Sequence, residues 1–233
     1  MWFLGVDLAW QNAPSGVALL ELNGPRLHLR QLDRLPQHSD ILPWLESHIG
    51  DANCYIGLDA PVLVHNSSGA READRLTHRL FGRQNAGAYP IHLGLPFVPR
   101  ILALVEDLKG SGFQTELPAT PQEKSRRLFE VFPHASSVRL FELSKILAYK
   151  KGPLASRAAA LNQFRNLLAQ RLAQREPKFQ SKSLPEIPTN AKDLKAVEDQ
   201  LDALLCAYTA AHFYYWGQAK NNILGGALVV PSF

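Results

Sequence analysis

Residues 2–9, Trp-Phe-Leu-Gly-Val-Asp-Leu-Ala, form a nearly continuous apolar run of strand length, which is how a strand buried on both faces reads. Such a strand needs a layer on each side, and that points to an α/β arrangement rather than a helical bundle or a half-exposed sheet. Asp7, near the end of the run, is out of place in so apolar a segment.

The segments that follow fill in the layers. Gly16 to Leu22 and Arg26 to Leu32 flank Asn23-Gly24, a strong hairpin signal, so the first three strands are predicted to form an antiparallel meander. After Ser39 or Asp40 as a cap, Ile41, Leu42, Leu45 and Ile49 recur at helical spacing, with Pro43 in the first turn and Gly50 as a stop. A fourth strand, Cys54 to Leu58, then delivers Asp59, and a strand returning after a helix is expected to lie parallel to the first and beside it. Residues 60–125, broken by Pro61, Pro90, Pro96, Pro99, Pro118 and Pro121, read as an inserted lobe of about three helical or irregular pieces over the strand ends. Arg127 to Phe132 alternates as a fifth strand that Pro133-His134 closes. Helices are expected at about 155–175 and 191–216, and Ile223 to Val230 reads as a short strand or hairpin. The expected fold is a mixed five-stranded sheet flanked by helices, in one domain over residues 1–233, with the insertion at about 60–125 and a terminal hairpin at about 222–231.

No stretch approaches the roughly 18 to 20 uncharged apolar residues of a membrane span, and the N-terminal run ends on an acid rather than showing a basic region with a cleavage site. A cytoplasmic protein with no membrane partner is expected. Cys54 and Cys206 are too few for a cysteine-based metal site and read as two buried thiols. A net charge of +4 permits a polyanionic partner without demanding one, and oligomeric state is not legible.

The acids are more specific. Two-metal phosphodiester chemistry needs several carboxylates around ions about 4 Å apart. In the segment 198–208, Leu201, Leu204, Leu205 and Tyr208 mark the buried stripe of a helix, and Asp202 stands flush with it, sharing a face with Asp199 at i, i+3. Any one of these acids reads as easily as a cap, a surface charge or a salt bridge. That reading weakens when acids fall at the end of strand one, the end of strand four and inside the last long helix. Glu130 and His134 near the end of the fifth strand are candidate ligands, proton donors or supporting partners. Arg71 and Asp74, at i, i+3, read first as a structural ion pair and second as an Arg facing substrate phosphate. Tyr149-Lys150-Lys151-Gly152 with Arg157 reads as a solvated basic loop or as a phosphate site at the following helix N-terminus. Phe213 to Trp216 reads as packing, and no glycine pattern forms a Walker or dinucleotide loop.

Taken in order, Gly5-Val-Asp7-Leu-Ala, Gly57-Leu-Asp59-Ala-Pro61, Arg71-Glu-Ala-Asp74, Phe129-Glu130-Val-Phe-Pro133-His134, Tyr149-Lys150 and Asp199-Gln-Leu-Asp202-Ala-Leu resemble the domain-of-unknown-function 429 family of predicted RNase H-fold nucleases, across almost the whole chain. The Asp-x-x-Asp-Ala-Leu ending is also similar to the final helix of bacterial Holliday-junction resolvases. The resemblance implies an RNase H-like fold, Asp7, Asp59 and Asp202 as ligands of Mg²⁺ or Mn²⁺, Asp199 at the rim of that site, Glu130 in reserve, and a DNA or RNA substrate met by Arg71, Lys150, Arg157 and His134. Resolvases usually carry Glu where this chain has Asp59, one methylene shorter. Two rivals remain: a phosphoryl-transfer enzyme of the actin-like ATPase or sugar-kinase type, which needs a second comparable domain and Gly/Thr-rich phosphate loops not seen here, and a non-catalytic nucleic-acid-binding or scaffold protein.

Overall fold

The structure, a computed structural model, describes residues 1–11, 13–181 and 183–232. Strands β1 (Trp2–Asp7), β2 (Ser15–Asn23) and β3 (Arg26–Leu35) form the expected antiparallel meander. Helix α1 (Ile41–Ile49) leads into β4 (Cys54–Leu58), which lies parallel to β1 with Val6 opposite Leu58. Between β4 and β5 (Arg127–Val131) come helices α2 (Glu72–Phe81) and α3 (Val98–Gly110) with long irregular connections, and β5 then adds parallel to β4. Pro133 and His134 do not merely close that strand; they start helix α4 (Pro133–Phe141), because proline is well suited to a first helical turn. Helix α5 (Leu154–Arg171), strand β6 (Lys178–Gln180), helix α6 (Ala191–Trp216) and the hairpin β7 (Asn221–Leu224) and β8 (Leu228–Pro231) complete the chain.

The sheet has eight strands among the described residues, in the order β6-β3-β2-β1-β4-β5-β8-β7, not the five expected. The additions have simple causes. β6 is a three-residue segment inside the linker after α5, too short to show a period, and it pairs with β3 at Arg26 to His28. The C-terminal hairpin is visible in the sequence, but it docks through β8 against Glu130 and Val131 of β5 and so extends the main sheet.

Both faces of β1 are buried, as its composition requires. Leu4, Val6 and Leu8 point to the layer made by α1 and α3, where Ile41, Leu45, Ile101, Leu104, Val105 and Leu108 are also packed. Phe3 points to the opposite layer, formed by α6 with α4 and α5 outside it. Helix α6 is buried almost all round from Val197 to Tyr214, so it is an internal helix between sheet and outer helices rather than an amphipathic cover. No helix among the described residues is long and apolar enough to cross a membrane.

Candidate functional site

Strand periodicity selects which side chains meet α6. On β1, Phe3, Gly5 and Asp7 share a face by the two-residue repeat, and on β4 Tyr55, Gly57 and Asp59 do the same. The two glycines let the helix backbone come down onto the sheet: a Cβ at Gly5 would lie 1.9 Å from the Ala203 carbonyl oxygen, and one at Gly57 would lie 2.6 Å from that of Cys206. Two residues further along each strand, where they end, Asp7 and Asp59 stand side by side, with the Asp59 amide donating to the Val6 carbonyl at 2.8 Å. Asp202, fully buried and adjacent to Ala203, faces them from the helix.

The electrostatics follow from this crowding. Burial, with repulsion from Asp202, Asp59 and Asp199, lifts the Asp7 carboxyl well above its usual range against the pull of Lys150. Burial first, then Asp202 and Glu130, push Asp59 up to about 7, opposed by Lys150 and by a hydrogen bond with Asp7. The Tyr149 hydroxyl donates to Asp202 Oδ1 at 2.7 Å, and the Lys150 ammonium pairs with Asp202 Oδ2 at 2.7 Å. Burial works against the charge on Lys150, but Asp202, Asp7 and Asp59 outweigh it and hold the ammonium protonated. The Lys150 side chain is still 32% exposed. It lines an open cleft of about 360 Å³ together with Asp7, Asp59, Trp10, Tyr89, Phe132 and His134.

Asp7, Asp59, Asp202, Lys150 and His134 are therefore brought to one place. The His134 ring is held neutral, its pKa pulled down to about 4 by burial and then by Lys150, so at neutral pH it meets a ligand only as an uncharged imidazole. Glu130 lies near enough to Asp59 to line a small pocket with it, but its carboxylate turns away from Asp7 and Asp202. It pairs in register with Leu58, so it points to the opposite sheet face from Asp59 and Phe129. There Arg71 takes it, Nη1 to Oε2 at 2.7 Å and Nη2 to Oε1 at 2.8 Å. Arg71 also contacts Asp74, at 2.7 Å from Nη2, and the Leu63 carbonyl, at 3.1 Å from Nη1. Its fork is occupied by the protein, in keeping with the ion-pair reading of Arg71 and Asp74. Asp199 is buried and paired twice, to Arg34 at 2.8 Å and to Lys195 at 2.6 Å. Arg157 donates to the Tyr149 carbonyl at 3.1 Å and lies 3.5 Å from Glu198, which fixes the loop carrying Lys150.

Asp7 and Asp59 supply hard oxygen donors next to each other; burial first, then repulsion between the acids, lifts both carboxyls, and a hard divalent cation suits such oxygen donors. Asp202 faces the same point, but both its oxygens are engaged by Tyr149 and Lys150. Among the described residues no group of three or more His, Cys, Asp or Glu side chains is arranged to hold a metal ion.

Sequence reasoning missed Trp10 and Tyr89 in the cleft wall. Trp10 follows Asp7 by three residues and was open to suspicion on that ground. Tyr89 carries no local signal, because only the path of the connection after α2 brings it there.

No curated protein and no solved structure matched the chain. A family described as "Protein of unknown function (DUF429)" matches residues 5–223, nearly the whole chain and every acid of the site, so this protein belongs to the domain-of-unknown-function 429 family.

Proposed function

We propose that this chain is a nuclease of RNase H-like fold that hydrolyses phosphodiester bonds of DNA or RNA with the help of Mg²⁺ or Mn²⁺. The observation that carries the reading is the convergence of Asp7 and Asp59, from the ends of two adjacent parallel strands, in an open cleft that also presents Lys150, with Asp202 of α6 buried behind them and paired to that lysine. An antiparallel meander followed by a parallel fourth strand, with acids ending the first and fourth strands and one on the last long helix, supports the RNase H-like description. Asp7 and Asp59 would hold the cation, and Asp202 would complete the negative charge around it. A divalent cation there supplies Lewis-acid charge to a phosphate and lowers the pKa of water.

The chain's own residues do the rest. Lys150, partly exposed and held charged by the acids, attracts and orients a phosphate oxygen at the cleft. Tyr149 and Asp202 fix the position of its ammonium, so the charge is pre-placed rather than swinging on a free four-carbon stem. His134 and Phe132 narrow the cleft on the α4 side.

The non-catalytic binding or scaffold reading draws on one observation, that Asp202 already has two protein partners. A panel of single-stranded, structured and branched nucleic acids separates the two. Cleavage with Mg²⁺ or Mn²⁺ that stops with EDTA and falls at least about 100-fold in Asp59→Asn, with binding retained, supports the nuclease. A panel showing neither metal-dependent cleavage nor salt-sensitive binding removes it.

A further inference from the structure

Tyr89 is 58% exposed, yet it is not on a loose loop tip. Its neighbour Ala88 donates its amide to Thr77 Oγ1 at 2.9 Å, and the Ala88 carbonyl lies 2.8 Å from His78 Nε2. Two residues on, the Ile91 amide donates to Asp74 Oδ2 at 2.9 Å. Asp74 is in turn locked by Arg71, which is locked by Glu130 of β5. A continuous set of polar contacts thus runs from the central sheet through α2 to the backbone on both sides of Tyr89.

The ring so fixed stands at the cleft that holds Asp7, Asp59 and Lys150. Behind it, Trp10 stacks on Phe97 with centroids 5.0 Å apart and an interplanar angle of 24°, and Tyr89 meets Trp10 edge to face at 6.1 Å and 64°. Trp10 is therefore backed on one side and braces Tyr89. An exposed aromatic on open surface needs no explanation. One buttressed by other rings, anchored on both flanks and set in the wall of an acid and lysine cleft is a built surface for a planar group.

We propose that Tyr89, braced by Trp10, is a stacking platform for an unpaired nucleobase, so that the site takes a single strand or an extruded nucleotide rather than the paired interior of a duplex. The proposal rests on the nuclease reading for its choice of a nucleotide as the planar group. In a duplex both faces of each base are covered by neighbours, so a base reaches an aromatic wall only when unpaired. A cleft of about 360 Å³ lies near the lower end of the size range for small-ligand pockets, which suits one nucleotide at a time. Lys150 then meets the phosphate while the ring meets the base.

The test is binding by fluorescence anisotropy, in Ca²⁺ and again in EDTA, using a labelled single-stranded oligonucleotide, an abasic strand of equal length and the corresponding duplex. The single strand is expected to bind tighter than the other two. Tyr89→Ala should weaken it about 5- to 150-fold, equivalent to roughly 1–3 kcal/mol of base stacking, and leave the abasic strand unchanged, while Tyr89→Phe retains the wild-type affinity. Equal affinity for duplex or abasic strand, no single-strand binding in either condition, or a neutral Tyr89→Ala overturns the platform. Failure of the two ideas is separable: base-dependent binding without any cleavage removes the nuclease and keeps the platform, whereas metal-dependent cleavage with a neutral Tyr89→Ala does the reverse.

Discussion

Replacing Asp59 by Asn should make the metal-free protein more stable, and the size and pH window of the gain follow from the site. The Asp59 carboxyl titrates near 7 in the folded chain against 3.8 for an ordinary aspartate, so the unfolded chain ionises first as pH rises. Between about pH 4 and pH 7 the folded state binds more protons than the unfolded state, and the wild type must lose stability across that window. At 1.36 kcal/mol per unit, a shift from 3.8 to about 7 has a ceiling of about 4 kcal/mol. Attraction to Lys150 is already inside that net shift. Asn keeps the shape and offers an amide N–H to Asp7, while coupling between the two acids spreads the cost over both, so a gain of about 1–3 kcal/mol at pH 8 is expected. For a chain of this size that is roughly 2 to 10 °C in Tm. Thermal or urea unfolding in EDTA from pH 4 to pH 9 should show the variant and wild type converging near pH 4 and separating up to pH 7. Added Mg²⁺ should then raise the wild type, by about 2.7 kcal/mol at a hundredfold excess over Kd, and raise the variant much less. If Asp59→Asn instead lowers stability at pH 8 in EDTA, the carboxylate is a structural partner of Lys150 and the cation-site reasoning fails.

Other expectations bear on separate parts of the molecule. Gly5→Ala should cost more than about 3 kcal/mol, because its Cβ would fall 1.9 Å from the Ala203 carbonyl oxygen and 2.2 Å from the Ala207 amide nitrogen, and only a shift of α6 relieves that; urea unfolding measures it, and a change below about 1 kcal/mol would mean that the helix does not ride on the strand. Arg71→Lys should destabilise by roughly 2–4 kcal/mol, since one ammonium cannot replace a fork that serves Asp74, Glu130 and the Leu63 carbonyl together; a neutral result in thermal unfolding would show those acids to be solvated. The His134 ring should stay neutral down to pH 5.5, with flat imidazole resonances in NMR from pH 8 to that point; a midpoint near 6.5 would contradict its burial beside Lys150.

The candidate site was largely legible in the sequence because its logic is local. An acid at the end of a doubly apolar strand, a second at the end of a returning strand and a third flush with a helical stripe are statements about period and position, and the structure puts Asp7, Asp59 and Asp202 together. Glu130 is different: its alternation with Phe129 and Val131 is visible in the sequence, but only its register with Leu58 in the folded sheet puts it on the face away from Asp59. Asp199 was harder, since its partners Arg34 and Lys195 come from β3 and from one turn earlier on α6, and only the first needs the tertiary fold. The count of eight strands lay beyond reach for a different reason. A three-residue strand has no period, and a hairpin's sequence fixes its turn but not the edge on which it docks.

How each buried acid is neutralised separates the site from the rest of the protein. Asp199 has Arg34 and Lys195, and Asp74 and Glu130 share the five-donor fork of Arg71. Those acids are matched by cations in the ordinary way of structural ion pairs. Asp7, Asp59 and Asp202 instead face the single ammonium of Lys150, and two of the three carry carboxyls pushed well up. A chain selected only for a stable fold gains nothing from three clustered acids that one lysine cannot balance, since replacing one of them with a neutral residue relieves the repulsion. Local violations of that kind persist where function needs them, and the charge they leave uncompensated is what a cation-assisted phosphate site requires.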